Sequence, residues 1–505
     1  MRIKVLAAAL AAVCALPLLS IAADAQTLRI ALREDPDILD PTLARTYVGR
    51  IVFAGLCDKL FDINEKLEVV PQLALSYEWT DPVTLVLKLR PGVRFHDGEA
   101  FDAAAVKYGL ERHLTMPGSF RRSEISVMDR VEVVDPLTVR IVLKTPSAPF
   151  LTQLTDRAGM IVSPKAAEAA GAAFGVKPVC TGPFRFVERV AQDRIVLERF
   201  PGYWNADAIK LDRVVYQPIP DSSIRLANLQ AGSIEMSEQI LPTDAEAVRG
   251  NPKLRLVVSD PLGYWGITMN LANGPRAKTA LGSDARVRQA FELSLDKAVM
   301  VQVVYNDLYV PVAQGLPPSS PYFDPAMKPL ARDVVKAKAL LKEVGVALPV
   351  VVQLTVPNNP DQRQNGEIIQ ALAAEAGFDV RITASEYASA LTAANRGDFE
   401  AFSTGWSGRV DPDGNLYSFL HSTGALNDSK YANPKVDALL DQSRVEQDQA
   451  KRRALYAELM EQARRDLPII YMWNPKNIVG MSARVGGFKP IPDGLIRLQG
   501  VSLAK

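Results

Sequence analysis

Residues 397–420, GDFEAFSTGWSGRVDPDGNLYSFL, hold the densest group of side chains suited to recognition chemistry. A strand-like EAFSTGW runs into a loop rich in charge and glycine, where a rigid scaffold commonly offers ligand contacts. Arg409 carries a planar guanidinium able to clamp a carboxylate or phosphate through two parallel hydrogen bonds. Trp406 could cover a ligand, and Asp411 could accept a charge-assisted bond from an ammonium group. The competing assignments are structural: DPDG (411–414) as a turn, Arg409 paired with a nearby acid, Trp406 in the core. Reactive chemistry finds no support. There is no GxSxG elbow, HExxH helix, CxxC pair or Walker loop, and His96, His113, His421, Cys14, Cys57 and Cys180 are scattered. His96, beside the Asp97-Gly98 turn, reads as a packed or surface side chain, and no metal or cofactor is expected.

Strands and helices must position these groups. Alternating runs at 27–32 (TLRIAL), 84–89 (TLVLKL), 139–143 (VRIVL), 194–200 (RIVLERF) and 254–258 (LRLVV) predict a strand-rich first half punctuated by Asp-Pro, Asp-Gly and Pro-Gly turns. After residue 280 helical spacing dominates. Val287, Phe291 and Leu295 follow Ser283-Asp284, and Val334, Ala337, Leu341 and Val344 run up to Gly345. Asn433-Pro434 reads as a helix cap and first turn. Strands at 351–356 and 378–383 between helices predict βαβ units, hence an α/β lobe.

Composition bounds the rest. With 505 residues, 48% of them hydrophobic, the chain can build two or three domains. Its 58 basic and 57 acidic side chains leave a net charge of +1, which supplies no field for a nucleic-acid backbone. Residues 1–25 have Arg2 and Lys4, an apolar run broken by Pro17, and Ala23-Asp24-Ala25, so they read as a cleavable secretory signal rather than an anchor. Cys14, in the middle of the apolar run, is no lipidation site. The mature chain keeps Cys57 and Cys180 in an oxidising compartment, where either a disulfide or two buried thiols would fit.

Residues 71–113, PQLALSYEWTDPVTLVLKLRPGVRFHDGEAFDAAAVKYGLERH, resemble a segment that marks the extracytoplasmic solute-binding proteins of ABC transporters, family 5, the dipeptide-, oligopeptide- and nickel-binding proteins. The resemblance continues through CTGPFRF (180–186), PGYW and LDRVVY (201–216), SDARVRQAFELSLDKAVMVQVVY (283–305), DVVKAKALLKEVG (333–345), RGDFEAFSTGW (396–406) and YANPKVDALLDQSR (431–444). It spans nearly the whole mature chain in the family's order. Several blocks have plain structural readings too: Asp102 as a helix cap, Gly182-Pro183 as a chain reversal, Trp204, Leu211 and Val214 as core.

The resemblance implies an α/β, two-lobed periplasmic binding protein fold, type II and cluster C-like, with an extra subdomain in lobe one. Lobe one would hold residues 26–265 plus 476–505, with the subdomain at about 66–182, and lobe two residues 266–475. The crossings, 260–271 and 468–477, carry Tyr264, Trp265, Tyr471 and Trp473, which could line a cleft or pack the lobes; Tyr264 and Trp265 are taken as lining. In peptide-binding relatives an Asp shortly after the Gly-Trp pair receives the ligand's ammonium. Here Arg409 stands near that place, which disfavours a plain dipeptide, with Asp411 and Asp413 later. Arg363, near a helix start in VPNNPDQRQNGEII (356–369), occupies the place of an Arg that faces the ligand carboxylate. Tyr47 and Thr46 fall in the stretch that faces the cleft.

The implied function is a non-catalytic, monomeric periplasmic receptor that captures a peptide or peptide-like, carboxylate-bearing solute and hands it to an inner-membrane ABC permease and its ATPases. An exported peptidase or glycosidase, and a periplasmic sensor or chaperone, are the alternatives. With so many acids in the chain, a carboxylate pair alone does not favour the enzyme.

Overall fold

The structure, a computed structural model, describes residues 26–504; the expected secretory signal, Cys14 included, lies outside them. The alternating runs form strands because their apolar faces are buried. Thr27–Leu32 is central in a seven-stranded mixed sheet ordered Leu254–Ser259, Asn477–Ser482, Met236–Ser237, Thr27–Leu32, Arg213–Pro218, Arg194–Arg199, Phe184–Val190. Thr27–Leu32 pairs parallel to both of its neighbours, so their carboxyl ends share one edge.

The second sheet has six strands, ordered Val310–Pro311, Ile469–Asn474, Tyr264–Met269, Ala401–Trp406, Val350–Pro357, Phe378–Ser385. Val350–Pro357 is parallel to both neighbours and its crossover is the helix Pro360–Ala374, the expected βαβ arrangement. Ala74–Asp81, Thr84–Leu89, Thr138–Leu143 and Met128–Asp135 form a separate antiparallel sheet. It has its own apolar core, which includes Leu85, Val106, Leu110 and Ile141.

The chain passes between the two large sheets twice, at residues 260–263 and 475–476. The expected boundary at residue 265 falls inside the strand Tyr264–Met269. Tyr264 and Trp265 therefore sit on the six-stranded sheet, paired opposite Trp406 and Gly405. Helix caps follow the sequence chemistry: Asp102 accepts from Ala105 N at 2.9 Å, Asp284 from Arg286 N at 2.8 Å, and Gly345 closes its helix at φ +77°. Cys57 and Cys180 are disulfide-bonded, with Cα atoms 4.9 Å apart. The bond joins the end of the helix Tyr47–Leu56 to the TGPF turn, where Gly182 N donates to Leu56 O at 3.0 Å. A Cβ on Gly182 would lie 2.5 Å from the Leu56 carbonyl carbon, so this close approach requires glycine. Among the described residues no helix is long and apolar enough to cross a membrane.

Candidate functional site

Strand ends from both large sheets converge on a cavity whose envelope, open solvent at its mouth included, is about 900 Å³. One residue beyond Leu32, the first strand delivers Arg33 and Glu34. Its parallel neighbour Met236–Ser237 delivers Glu238 and Gln239 at the same edge. The other wall comes from the six-stranded sheet: Tyr264 and Trp265, Gly405 and Trp406, Trp473, and the segment after Val350–Pro357 with Asn359, Asp361 and Gln362. Tyr47, Tyr305, Tyr309 and Tyr387 complete an aromatic enclosure.

The aromatic groups are fixed by packing and hydrogen bonds. Tyr305 stacks on Tyr309 with centroids 4.2 Å apart and meets Trp473 at 5.2 Å. Gln362 Nε2 donates to the Tyr305 hydroxyl at 3.0 Å. Trp265 Nε1 donates to Ser403 Oγ at 2.9 Å and Trp406 Nε1 to Asn415 Oδ1 at 3.0 Å. The indole of Trp265 lies over Gly405, where a Cβ would come within 2.5 Å of its Cε3. The Tyr387 hydroxyl is 2.9 Å from Thr404 Oγ1, and burial pushes its pKa up to about 12.

The charges divide into a paired and an unpaired set. Arg33 Nε is 3.3 Å from Glu238 Oε1, its Nη1 donates to Gln239 Oε1 at 3.2 Å, and its guanidinium is 5.0 Å from the Tyr47 ring centre. Burial opposes the charge on Arg33, but Glu238 and Glu34 outweigh it and raise the pKa. Lys476 at the rim pairs with Asp260. Glu34 and Asp361 have no ion-pair partner among the described residues. Burial, with Glu238, Glu386 and Asp37 nearby, pushes the Glu34 carboxyl up to about 8 against the pull of Arg33. Burial also raises Asp361, offset by the Gln362 hydrogen bond at 3.0 Å and by Arg225 and Arg33.

Four of the residues singled out from sequence, Tyr47, Tyr264, Trp265 and Trp406, line this cavity. The charged ones do not. Arg409 is 7% exposed, its Nε lies 3.0 Å from Asp156 Oδ2, and its guanidinium is 4.4 Å from the Trp406 ring centre. Gly408, at φ +82°, turns the chain so that Arg409 packs behind Trp406 and Ser407 instead of entering the cavity. Asp411 is taken by Arg452 through two bonds of 2.6 and 2.7 Å, and it also accepts from Asp413 N, the turn role. Arg363 is exposed and donates to Asn358 Oδ1 at 3.0 Å. It sits two residues beyond Asp361 on one helix, about 200° round the axis, so the acid faces the cavity and the arginine faces away. Thr46 caps the helix Tyr47–Leu56, accepting from Gly49 N and donating to Asp37. Tyr471 packs on Tyr264 at 4.7 Å, and Trp473, its near neighbour, is the one that lines the cavity. His96 is structural: Nε2 lies 3.0 Å from Gly182 O, and burial holds its pKa down to about 4.

Sequence reasoning missed Arg33, Glu34, Glu238, Gln239, Tyr305, Tyr309, Asp361 and Tyr387. Arg33-Glu34 carried a usable signal, two charges directly after a buried strand. Glu238 and Gln239 carried none, because the strand before them is two residues long. A second cavity of about 660 Å³ adjoins the first past Tyr47, Tyr387 and Trp406; at its far end Arg45 Nη2 meets Asp428 at 2.6 Å, joining the two lobes.

A family model described as bacterial extracellular solute-binding proteins, family 5 Middle, matches residues 68–427. The glutathione-binding protein GsiB of Pectobacterium atrosepticum is 31% identical over 480 residues, covering 92% of each chain. Helicobacter pylori DppA, solved with the peptide STSA, superposes with a TM-score of 0.87 at 25% identity, covering 95% of this chain and 98% of that one. AgaA of A. tumefaciens R10, solved with agropinic acid, gives 0.86 at 25% identity, covering 95% and 99%.

Proposed function

This chain belongs to the family 5 bacterial extracellular solute-binding proteins, and from that membership we propose that it is the periplasmic receptor of an ABC importer for a zwitterionic, peptide-like solute. The reading rests on one observation: an aromatic-walled cavity between two sheets holds Arg33 together with two acids, Glu34 and Asp361, that have no ion-pair partner among the described residues. Arg33 offers donors to a carboxylate, and Asp361 with Glu34 offers acceptors to an ammonium group, whose positive charge draws the Glu34 carboxyl into its ionised form on binding. The ring faces of Tyr305, Tyr309, Trp265 and Trp473 accept the apolar body of the solute. Glutathione, short peptides and agropinic acid, the ligands named for the relatives, all bear carboxylates, and the first two also carry an ammonium group.

Binding energy is spent on holding the lobes together around the solute, and the permease with its ATPases recognises the closed form. The leader, residues 1–25, exports the chain, and the lobes divide at 260–263 and 475–476. No bond of the solute is broken. The test is thermal denaturation of the purified protein with reduced and oxidised glutathione, agropinic acid, and di- to tetrapeptides with free or N-acetylated termini, followed by mass spectrometry of the solute. Free-terminus peptides or glutathione should raise the melting temperature and be recovered intact. A panel in which nothing shifts the transition, or a solute recovered cleaved, overturns the reading.

A further inference from the structure

Behind Trp406 and Ser407 lies a second polar centre that the solute cavity does not use. Arg50, Arg121, Arg157 and Arg409 are at most 7% exposed there, and the carboxylates among them are Asp156 and Glu124, both buried. Asp156 receives Arg50 and Arg409 and lies 3.7 Å from Arg157 Nε, while Glu124 pairs with Arg121. Ala44 O accepts from Arg157 Nη1 at 2.7 Å and from Arg121 Nη2 at 3.4 Å, so two like charges share one carbonyl.

Four guanidiniums thus face two carboxylates away from solvent. The neighbouring acids are engaged elsewhere: Asp413 with Arg444, Asp411 with Arg452, Asp428 with Arg45 and Asp40 with Arg112. Arginine does not shed its proton, and a buried, uncompensated charge is strongly unfavourable. The donors are in surplus as well. Among the described residues, five buried N–H groups, Arg50 Nε, Arg121 Nε, Arg157 Nε and Nη2, and Arg409 Nη2, have no hydrogen-bond partner, against two such carboxylate oxygens, Asp156 Oδ2 and Glu124 Oε2.

We propose that this junction binds a small inorganic monoanion of the chloride class. Such an anion takes up the spare N–H donors and offsets the excess positive charge. Trp406 and Ser407 stand between it and the solute cavity, which separates it from any carboxylate of the solute. Arg409 comes from the loop after Ala401–Trp406, whereas Arg50 comes from the helix Tyr47–Leu56 and Arg121 and Arg157 from the region of the four-stranded sheet. The anion therefore ties all three sheets together and favours the closed arrangement, in which Arg409 approaches the other three.

Two measurements test this, and neither depends on the identity of the solute. In crystals soaked in sodium bromide, an anomalous-difference peak should appear within hydrogen-bond reach of Arg157 and Arg409. At constant ionic strength the melting temperature should be a few degrees higher in sodium chloride or bromide than in sodium gluconate, whose anion is too large to enter. The paired substitution Arg157→Gln with Arg409→Gln leaves two cations against two anions and should abolish the halide dependence. The absence of a bromide peak at this junction, equal melting temperatures in the three salts, or a halide effect undiminished in the double variant overturns the proposal. Should that variant not fold, the bromide map and the salt series on the unaltered protein still decide.

Discussion

Asp156 and Arg409 meet at 3.0 Å across the junction between the six-stranded sheet and the four-stranded sheet's region, and Asp156 is shared by Arg50 as well. Of the two readings the sequence left open for Arg409, ligand clamp or structural pair, the ion pair with Asp156 is the one the structure shows. Replacing Asp156 by Asn leaves its guanidiniums uncompensated, and we expect a loss of stability on the order of 3–5 kcal/mol. Arg409→Gln, which also removes a repelling cation, should cost less than half as much. Urea denaturation of the two variants checks the order; an equal or larger loss in Arg409→Gln contradicts it.

Glu34 makes a prediction about pH. Its carboxyl titrates near 8 in the folded cavity, among Arg33, Glu238, Glu386 and Asp37, and near the ordinary glutamate value when unfolded. Between those two values the unfolded chain releases a proton that the folded one keeps, so stability contributed by protonated Glu34 is full below about pH 4.5 and lost as pH rises to about 8. Glu34→Gln should match the parent protein near pH 5 and exceed it by on the order of 4 kcal/mol at pH 8. Denaturation midpoints at both pH values read this out, and a constant difference between the two proteins rules it out.

Gly405 and Trp265 face each other across paired strands. Because a Cβ at 405 would lie 2.5 Å from the indole, Gly405→Ala should displace the ring and weaken binding of the best solute of the peptide panel about tenfold, about 1.4 kcal/mol. Isothermal titration of the variant against the parent gives the number, and an unchanged dissociation constant removes Trp265 from the binding wall.

Trp265, Trp406 and Trp473 are three of the five tryptophans in the chain, and all line the cavity. Solute binding should therefore change the intrinsic fluorescence substantially. Trp265→Phe should remove a large share of the change, while Trp79→Phe, in the four-stranded sheet, should leave it intact.

The Cys57–Cys180 bond closes a loop of 123 positions. Cys57→Ser with Cys180→Ser should lower stability by about 2–5 kcal/mol, and dithiothreitol should lower the melting temperature of the parent but not of the double variant.

Much of the architecture could be read from local pattern. TLRIAL is a strand over Thr27–Leu32, Asp102 and Asn433 cap helices, and Gly345 ends one, because each depends on neighbours a few residues away. Part of the aromatic wall was legible for a related reason, though Tyr305, Tyr309 and Tyr387 were not. Large rings next to turns at strand ends either pack or line, and Tyr264, Trp265 and Trp406 do both. The charged half was not legible. Arg409, Asp411 and Arg363 have the right chemistry, but a charge becomes a ligand contact only if no protein partner claims it first. Their partners Asp156, Arg452 and Asn358, and the helical phase that turns Arg363 outward, are supplied by other elements or by the helix itself.

The sequence alone thus determined the family, the α/β elements and an aromatic cleft, since apolar periodicity, capping and turn chemistry act over short distances. Only the tertiary structure decided which charges face the cavity. Burial and ion pairing arise between segments hundreds of residues apart: they consume Arg409 in a buried cluster and, among the described residues, leave Glu34 and Asp361 without an ion-pair partner in the cavity, beside the Arg33–Glu238 pair.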